Sequence, residues 1–135
     1  MSEMIQTGPW GLAPVLGVRD VRAAAAYYQD KLGFGCDPAT GIFEPTGESA
    51  VYAILERDGV VVHLQIRRRE LPTDRERIES DAYFFVPDAD ALHREFERSG
   101  ATILRGPLDG PSYSLRDFVV EDLDGNRLLF GSPKA

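Results

Sequence analysis

The stretch RDFVVEDLDGNRLLFGSP, residues 116–133, decides the fold. Two β-rich runs flank an Asp-Gly pair, which reads as two strands joined by a turn. The stretch YAILERDGVVVHLQI, residues 52–66, has the same plan. In that copy His63 stands five residues past Asp58. In the other, the residue five past Asp124 is Leu129.

Upstream of each hairpin lies a strand and a helix. LAPVLGV, residues 12–18, is apolar and β-branched and reads as a strand. Asp20 is a good N-cap, four alanines favour helix, and Gly33 can end it in the left-handed region. A helix is therefore predicted over 21–32, with Ala24, Tyr28 and Leu32 on its buried stripe. A short strand near 34–37 and then a loop are expected next. Further on, DAYFFVP (81–87) reads as a strand and DADALHREFERSGA as a helix. Asp88 caps it, Leu92, Phe96 and Ala89 form its stripe, and Gly100 stops it. His93 falls on its charged face and is expected to be exposed. ATILRGP reads as a strand and LDGPSYS as a loop before the closing hairpin.

The landmarks recur at nearly constant spacing. The capping Asp20 and Asp88 are 68 residues apart, the helix stops Gly33 and Gly100 are 67 apart, and the turns at Asp58 and Asp124 are 66 apart. This drift is that of an old duplication. The predicted class is α+β: two tandem βαβββ modules, residues 12–67 and 81–131, joined by a charged linker at 68–80 and forming one domain. One helix covers one face of a four-stranded sheet. The uncovered faces are expected to curl into a curved mixed sheet with a concave cup, the usual place for a small molecule.

Bulk composition narrows the partners. The 135 residues carry 15 basic and 22 acidic side chains, a net charge of −7, which repels nucleic acid. No apolar run is long enough to span a membrane, and the first residues lack a signal-peptide pattern, so a cytoplasmic location is expected. The lone Cys36 has no partner for an internal disulfide and reads as structural.

Four segments carry a family resemblance: PVLGVRDVRAAAAYYQDKLGF, DGVVVHL, DAYFFVPDADALHREFERSGA and LRDFVVEDLDGNRLLFG. Together they resemble the vicinal oxygen chelate superfamily, which holds glyoxalase I, extradiol dioxygenases, and fosfomycin- and bleomycin-resistance proteins. The resemblance covers roughly residues 12–131. It implies the paired βαβββ fold, often as a homodimer, and in catalytic members a divalent metal held by ligands from the first and fourth strands of each module. Carried onto this chain, those positions are Ala13, His63, Asp81 and Leu129. Ala13 and Leu129 have no donor atom, so the resemblance implies a fold kept and a metal centre lost, with His63 and Asp81 as a weak remnant.

Alternation places Tyr83 and Phe85 with Asp81, Val61 and Gln65 with His63, and Arg127 with Leu129 on the cup face. Tyr83 and Phe85 serve equally as core packing. Trp10, Phe43 and Tyr113 sit in segments read as loops that could close over the opening, and Arg116 lies beside them; Trp10 could equally pin the N-terminus. The candidate ligand-binding residues are thus His63, Gln65, Asp81, Tyr83, Phe85, Tyr113, Arg127 and Leu129. The resemblance is nearest to the metal-free bleomycin-resistance branch. It implies antibiotic sequestration, without a cofactor or turnover, of an aromatic or cationic ligand. The alternative is a metal-dependent lyase, isomerase or dioxygenase with an altered ligand set, to which Glu121, Asp122 or Asp124 could lend a carboxylate.

Overall fold

A computed structural model describes residues 11–70 and 79–134. The chain divides into two compact units between residues 70 and 71. The first contains β1 (Val15–Val18), α1 (Val21–Leu32), β2 (Ile42–Phe43), β3 (Tyr52–Arg57) and β4 (Val60–Ile66). The second contains β5 (Ala82–Phe85), α2 (Ala89–Ser99), β6 (Thr102–Asp109), β7 (Leu115–Glu121) and β8 (Arg127–Pro133). Their sheets run β1-β4-β3-β2 and β5-β8-β7-β6. In each, the first strand pairs in parallel with the last, and the other pairs are antiparallel. The predicted βαβββ order therefore appears twice.

Both helices begin and end as their sequences dictate. The Asp20 carboxylate accepts the Ala23 N–H at 3.0 Å, and the Asp88 carboxylate accepts that of Ala91 at 3.1 Å. Each bond satisfies a donor that the first turn leaves orphaned. Gly33 and Gly100 close the helices at φ 73° and 86°, a region costly for a side chain bearing Cβ. Val21, Ala24, Ala25, Tyr27, Tyr28 and Leu32 bury one face of α1; Ala89 and Phe96 do so for α2.

Period-two burial sorts each sheet into a helix-covered and an open face. In the first unit Leu16, Val18, Ala53, Leu55, Val62 and Leu64 are buried with α1. In the second, Phe84, Phe118, Val120, Leu128 and Phe130 take this role. Phe118 stacks on Phe130 with ring centres 5.5 Å apart, and Phe96 of α2 meets both edge-on. Burying such rings is the main term holding each helix to its sheet.

Four expectations need correction. The strand near 34–37 is only an isolated bridge, Gly35 to Glu56, while β2 forms at 42–43, inside the segment read as a loop. β6 runs on to Asp109, into the segment LDGPSYS read as a loop, because β7 offers it a partner that overrides local composition. The two hairpin turns also differ. In the first, Asp58 and Gly59 form a tight connection at φ 52° and 85°. In the second, strand pairing stops at Glu121 and Arg127, leaving a five-residue loop. There the Asp122 carboxylate accepts the N–H groups of Asp124 and Asn126 and the Asn126 amide. Finally, His93 is half-buried, its ring edge-on to Phe118 at 5.3 Å. An imidazole body packs as an apolar ring while its nitrogens reach the rim.

Candidate functional site

The open face of the second unit is organised around Asp117. Strand alternation turns Phe118 and Val120 toward α2, so Asp117 and Val119 must take the opposite face. Asp117 is nevertheless completely buried. A carboxylate in that position is costly unless donors reach both of its oxygens. Three side chains supply them. Arg105 of β6 donates to Oδ1 at 2.6 Å and, through its other terminal nitrogen, to the Asp117 carbonyl at 2.9 Å. The Tyr83 hydroxyl donates to Oδ2 at 2.9 Å, and the Tyr113 hydroxyl donates to the same oxygen at 3.1 Å. Burial and the negative Asp117 beside them push both phenols above the ordinary tyrosine pKa.

Two glycines make room for these rings. Gly131 is the cross-strand partner of Asp117. A Cβ there would overlap the Tyr83 hydroxyl, and one at Gly110 would overlap the Tyr113 ring. The loop bearing Tyr113 is tied by Lys134, whose ammonium donates to the Gly110 carbonyl at 2.7 Å.

Beside this cluster lies a groove of about 670 Å³, lined by Glu79, Leu104, Arg105, Tyr113, Val119, Arg127 and Leu129. That volume suits a small organic molecule. Tyr113, Arg127 and Leu129 are sequence candidates that meet here. Tyr83 joins them through Asp117. Phe85, with its ring 5.2 Å from that of Tyr83, is 74% exposed. Asp81 precedes β5 and is exposed; its carboxylate accepts the Arg127 backbone N–H at 2.8 Å.

His63 and Gln65 belong to the first unit. His63 is half-buried on the open face, where its Nδ1 and the Tyr52 hydroxyl share a hydrogen bond of 2.8 Å. Gln65 is exposed and pairs with Tyr52 across the ladder. Phe43 is exposed on β2, and Trp10 lies outside the described residues. Arg116 faces α2 instead of the groove, holding Asp90 at 3.0 Å and Asp109 at 3.3 Å. The Arg116 guanidinium beside Asp90 draws that carboxyl below its ordinary range.

The residues do not fit the divalent metal that the family resemblance implies for catalytic members. Ala13 and Asp81 precede their strands; Val15 lies opposite His63, and Tyr83 opposite Leu129. Alanine, valine and leucine donate no lone pair, and Asp81 is engaged by Arg127. Among the described residues no three His, Cys, Asp or Glu side chains converge on a point. Asp122 serves its loop, and Glu121 lies 3.6 Å from the Arg127 guanidinium.

Sequence reasoning missed Asp117 and Arg105. The signal was present as a charged residue inside the run LRDFVVE, on the face opposite Phe118 and Val120. Arg105 gave none, because register shifts in β6 break its alternation.

The profile of the Glyoxalase/Bleomycin resistance protein/Dioxygenase superfamily matches residues 12–130, and the chain belongs to that family. Among solved structures, it is similar to the bleomycin-binding protein from bleomycin-producing Streptomyces verticillus, complexed with copper(II)-bleomycin. That likeness has a TM-score of 0.68 and 26% identity, over 97% of this chain and 100% of that one. TioX from Micromonospora sp. ML1 shares the fold at 20% identity and TM-score 0.65, over 91% of this chain and 98% of that one. A glyoxalase-related enzyme from Clostridium phytofermentans does so at 16% and 0.72, over 91% and 94%. No curated protein matches the chain significantly. Among the described residues no helix is long and apolar enough to cross a membrane.

Proposed function

We propose that the protein binds a small organic ligand of the bleomycin type and sequesters it without a metal of its own and without turnover. The observation that carries this reading is the groove beside Asp117, with apolar walls from Leu104, Val119 and Leu129 and polar groups from Glu79, Arg105, Tyr113 and Arg127. Apolar walls with a few fixed polar groups make a site for an amphipathic molecule. The likeness to a bleomycin-binding protein over nearly the whole chain supports the choice of ligand. Asp81, Tyr83, Phe85, Tyr113, Arg127 and Leu129 are the proposed contact residues on the second unit, and His63 and Gln65 are proposed as ligand-facing residues of the first unit's own open face. A homodimer in the cytoplasm is the proposed working form.

Isothermal titration with metal-free bleomycin tests the proposal. Saturable heat with a dissociation constant below about 10 μM is expected. Absence of heat at millimolar bleomycin would contradict it. Sedimentation of the purified chain tests the dimer.

A further inference from the structure

We propose that Arg105 selects the ligand by shape, offering the flat face of its guanidinium as a platform for a planar aromatic ring, and that Asp117 is the residue that positions it. This rests on the small-molecule reading above and narrows it: the groove takes a flat π-system whatever its charge, and does not recognise a cation as such.

Both terminal nitrogens of Arg105 donate to Asp117, one to its carboxylate and one to its carbonyl, so the guanidinium plane is fixed from two points. The side chain still keeps 32% of its surface exposed and lines the groove. Two of the five guanidinium N–H groups are held by Asp117, which fixes the plane, and the stem and the face of that plane are what a flat ligand would lie against. A guanidinium plane stacks on aromatic rings, which an ammonium cannot imitate. Its charge is already answered by the buried Asp117 at 2.6 Å, so the platform has little net charge to read.

Tyr113 is arranged alike. Its hydroxyl is committed to Asp117 while the residue is 44% exposed and lines the same groove. One buried carboxylate thus turns two polar tips inward and leaves two flat surfaces outward. Leu104, Val119 and Leu129 supply apolar walls. Side chains locked before binding lose little rotamer freedom on contact, which favours affinity.

The test uses the full chain and three probes: 2-naphthalenesulfonate (planar anion), acridine orange (planar cation) and decyltrimethylammonium (non-planar cation). Titrations are followed by calorimetry and by the Arg105 Nε–H resonance. Both planar probes are expected to bind and move that resonance, and the non-planar cation to bind at least about tenfold more weakly. Arg105→Lys keeps the charge and loses the plane, so planar-probe affinity should fall about fivefold or more. Asp117→Asn should weaken planar probes in the folded protein and shift phenol ionisation to lower pH. Wild-type affinity in Arg105→Lys, or equal binding of all cations, overturns the platform. A lowered Tm in Asp117→Asn with unchanged affinity overturns the positioning role. Should bleomycin bind while Arg105→Lys leaves the planar probes unaffected, this inference falls and the binding function stands; should bleomycin and both planar probes all fail at millimolar concentration, both fall.

Discussion

The two open sheet faces occupy equivalent ladders and have become different surfaces. In the first unit Tyr52 pairs with Gln65 and Ile54 with His63. At the matching rungs of the second, Asp117 pairs with Gly131 and Val119 with Leu129. The first face carries a two-member polar contact, Tyr52 to His63. The second carries four members, with a wholly buried carboxylate at the centre. The helix-covered faces differ far less, for both are packed with aliphatic and aromatic groups under one capped helix. Packing constrains a covered face at every position, whereas an open face is free to acquire chemistry.

The largest expected effect lies on the covered face of the second unit. Phe118→Ala removes a ring in contact with Phe96, Phe130 and His93, and should cost about 3–5 kcal/mol in denaturant unfolding. Next comes the contrast itself. Asp117→Ala strands Arg105 and two phenols and should cost about 2–3 kcal/mol, below the fully buried figure because Arg105 is partly exposed. His63→Ala, on the equivalent face, breaks one half-buried contact and should cost about 1 kcal/mol. Equal losses would remove the distinction between the faces. At the rung beside them, Gly131→Ala forces the Tyr83 hydroxyl off Asp117 and should cost about 1–3 kcal/mol, while Gln65→Ala, exposed, should stay within about 0.5 kcal/mol.

Much of the covered face was legible in the sequence, and little of the open one. Capping aspartates, stopping glycines and period-two alternation are local signals, and they located α1, α2 and both hairpins. Strand pairing is not local. It stretched β6 to Asp109 and placed β2 at 42–43. Alternation correctly set Tyr83, Arg127 and Leu129 on one face. It could not say that Tyr83, Tyr113 and Arg105 converge on one carboxylate, because they come from three separate segments and meet only in the folded sheet. His93 misled for a related reason: a polar residue name concealed a ring that packs on Phe118.

The smallest effect is a pH dependence. Tyr83 and Tyr113 have pKa values raised in the folded state by burial and by Asp117. Their neutral forms are favoured by folding. That stability is present in full below the unfolded tyrosine pKa of about 10 and is lost as pH rises through the higher folded values. Absorbance at 295 nm should therefore show two late-ionising phenols in the native protein, and Asp117→Asn should bring them earlier. Unchanged phenol titration in that variant would separate the tyrosines from Asp117.

Mapping bleomycin on the isotope-labelled chain by two-dimensional amide NMR tests the central claim most directly. Saturable shifts centred on Leu104, Arg105, Tyr113, Val119 and Leu129 are predicted. Shifts that saturate elsewhere and leave those five residues unmoved would contradict the assignment of the Asp117-built groove as the place where the ligand sits.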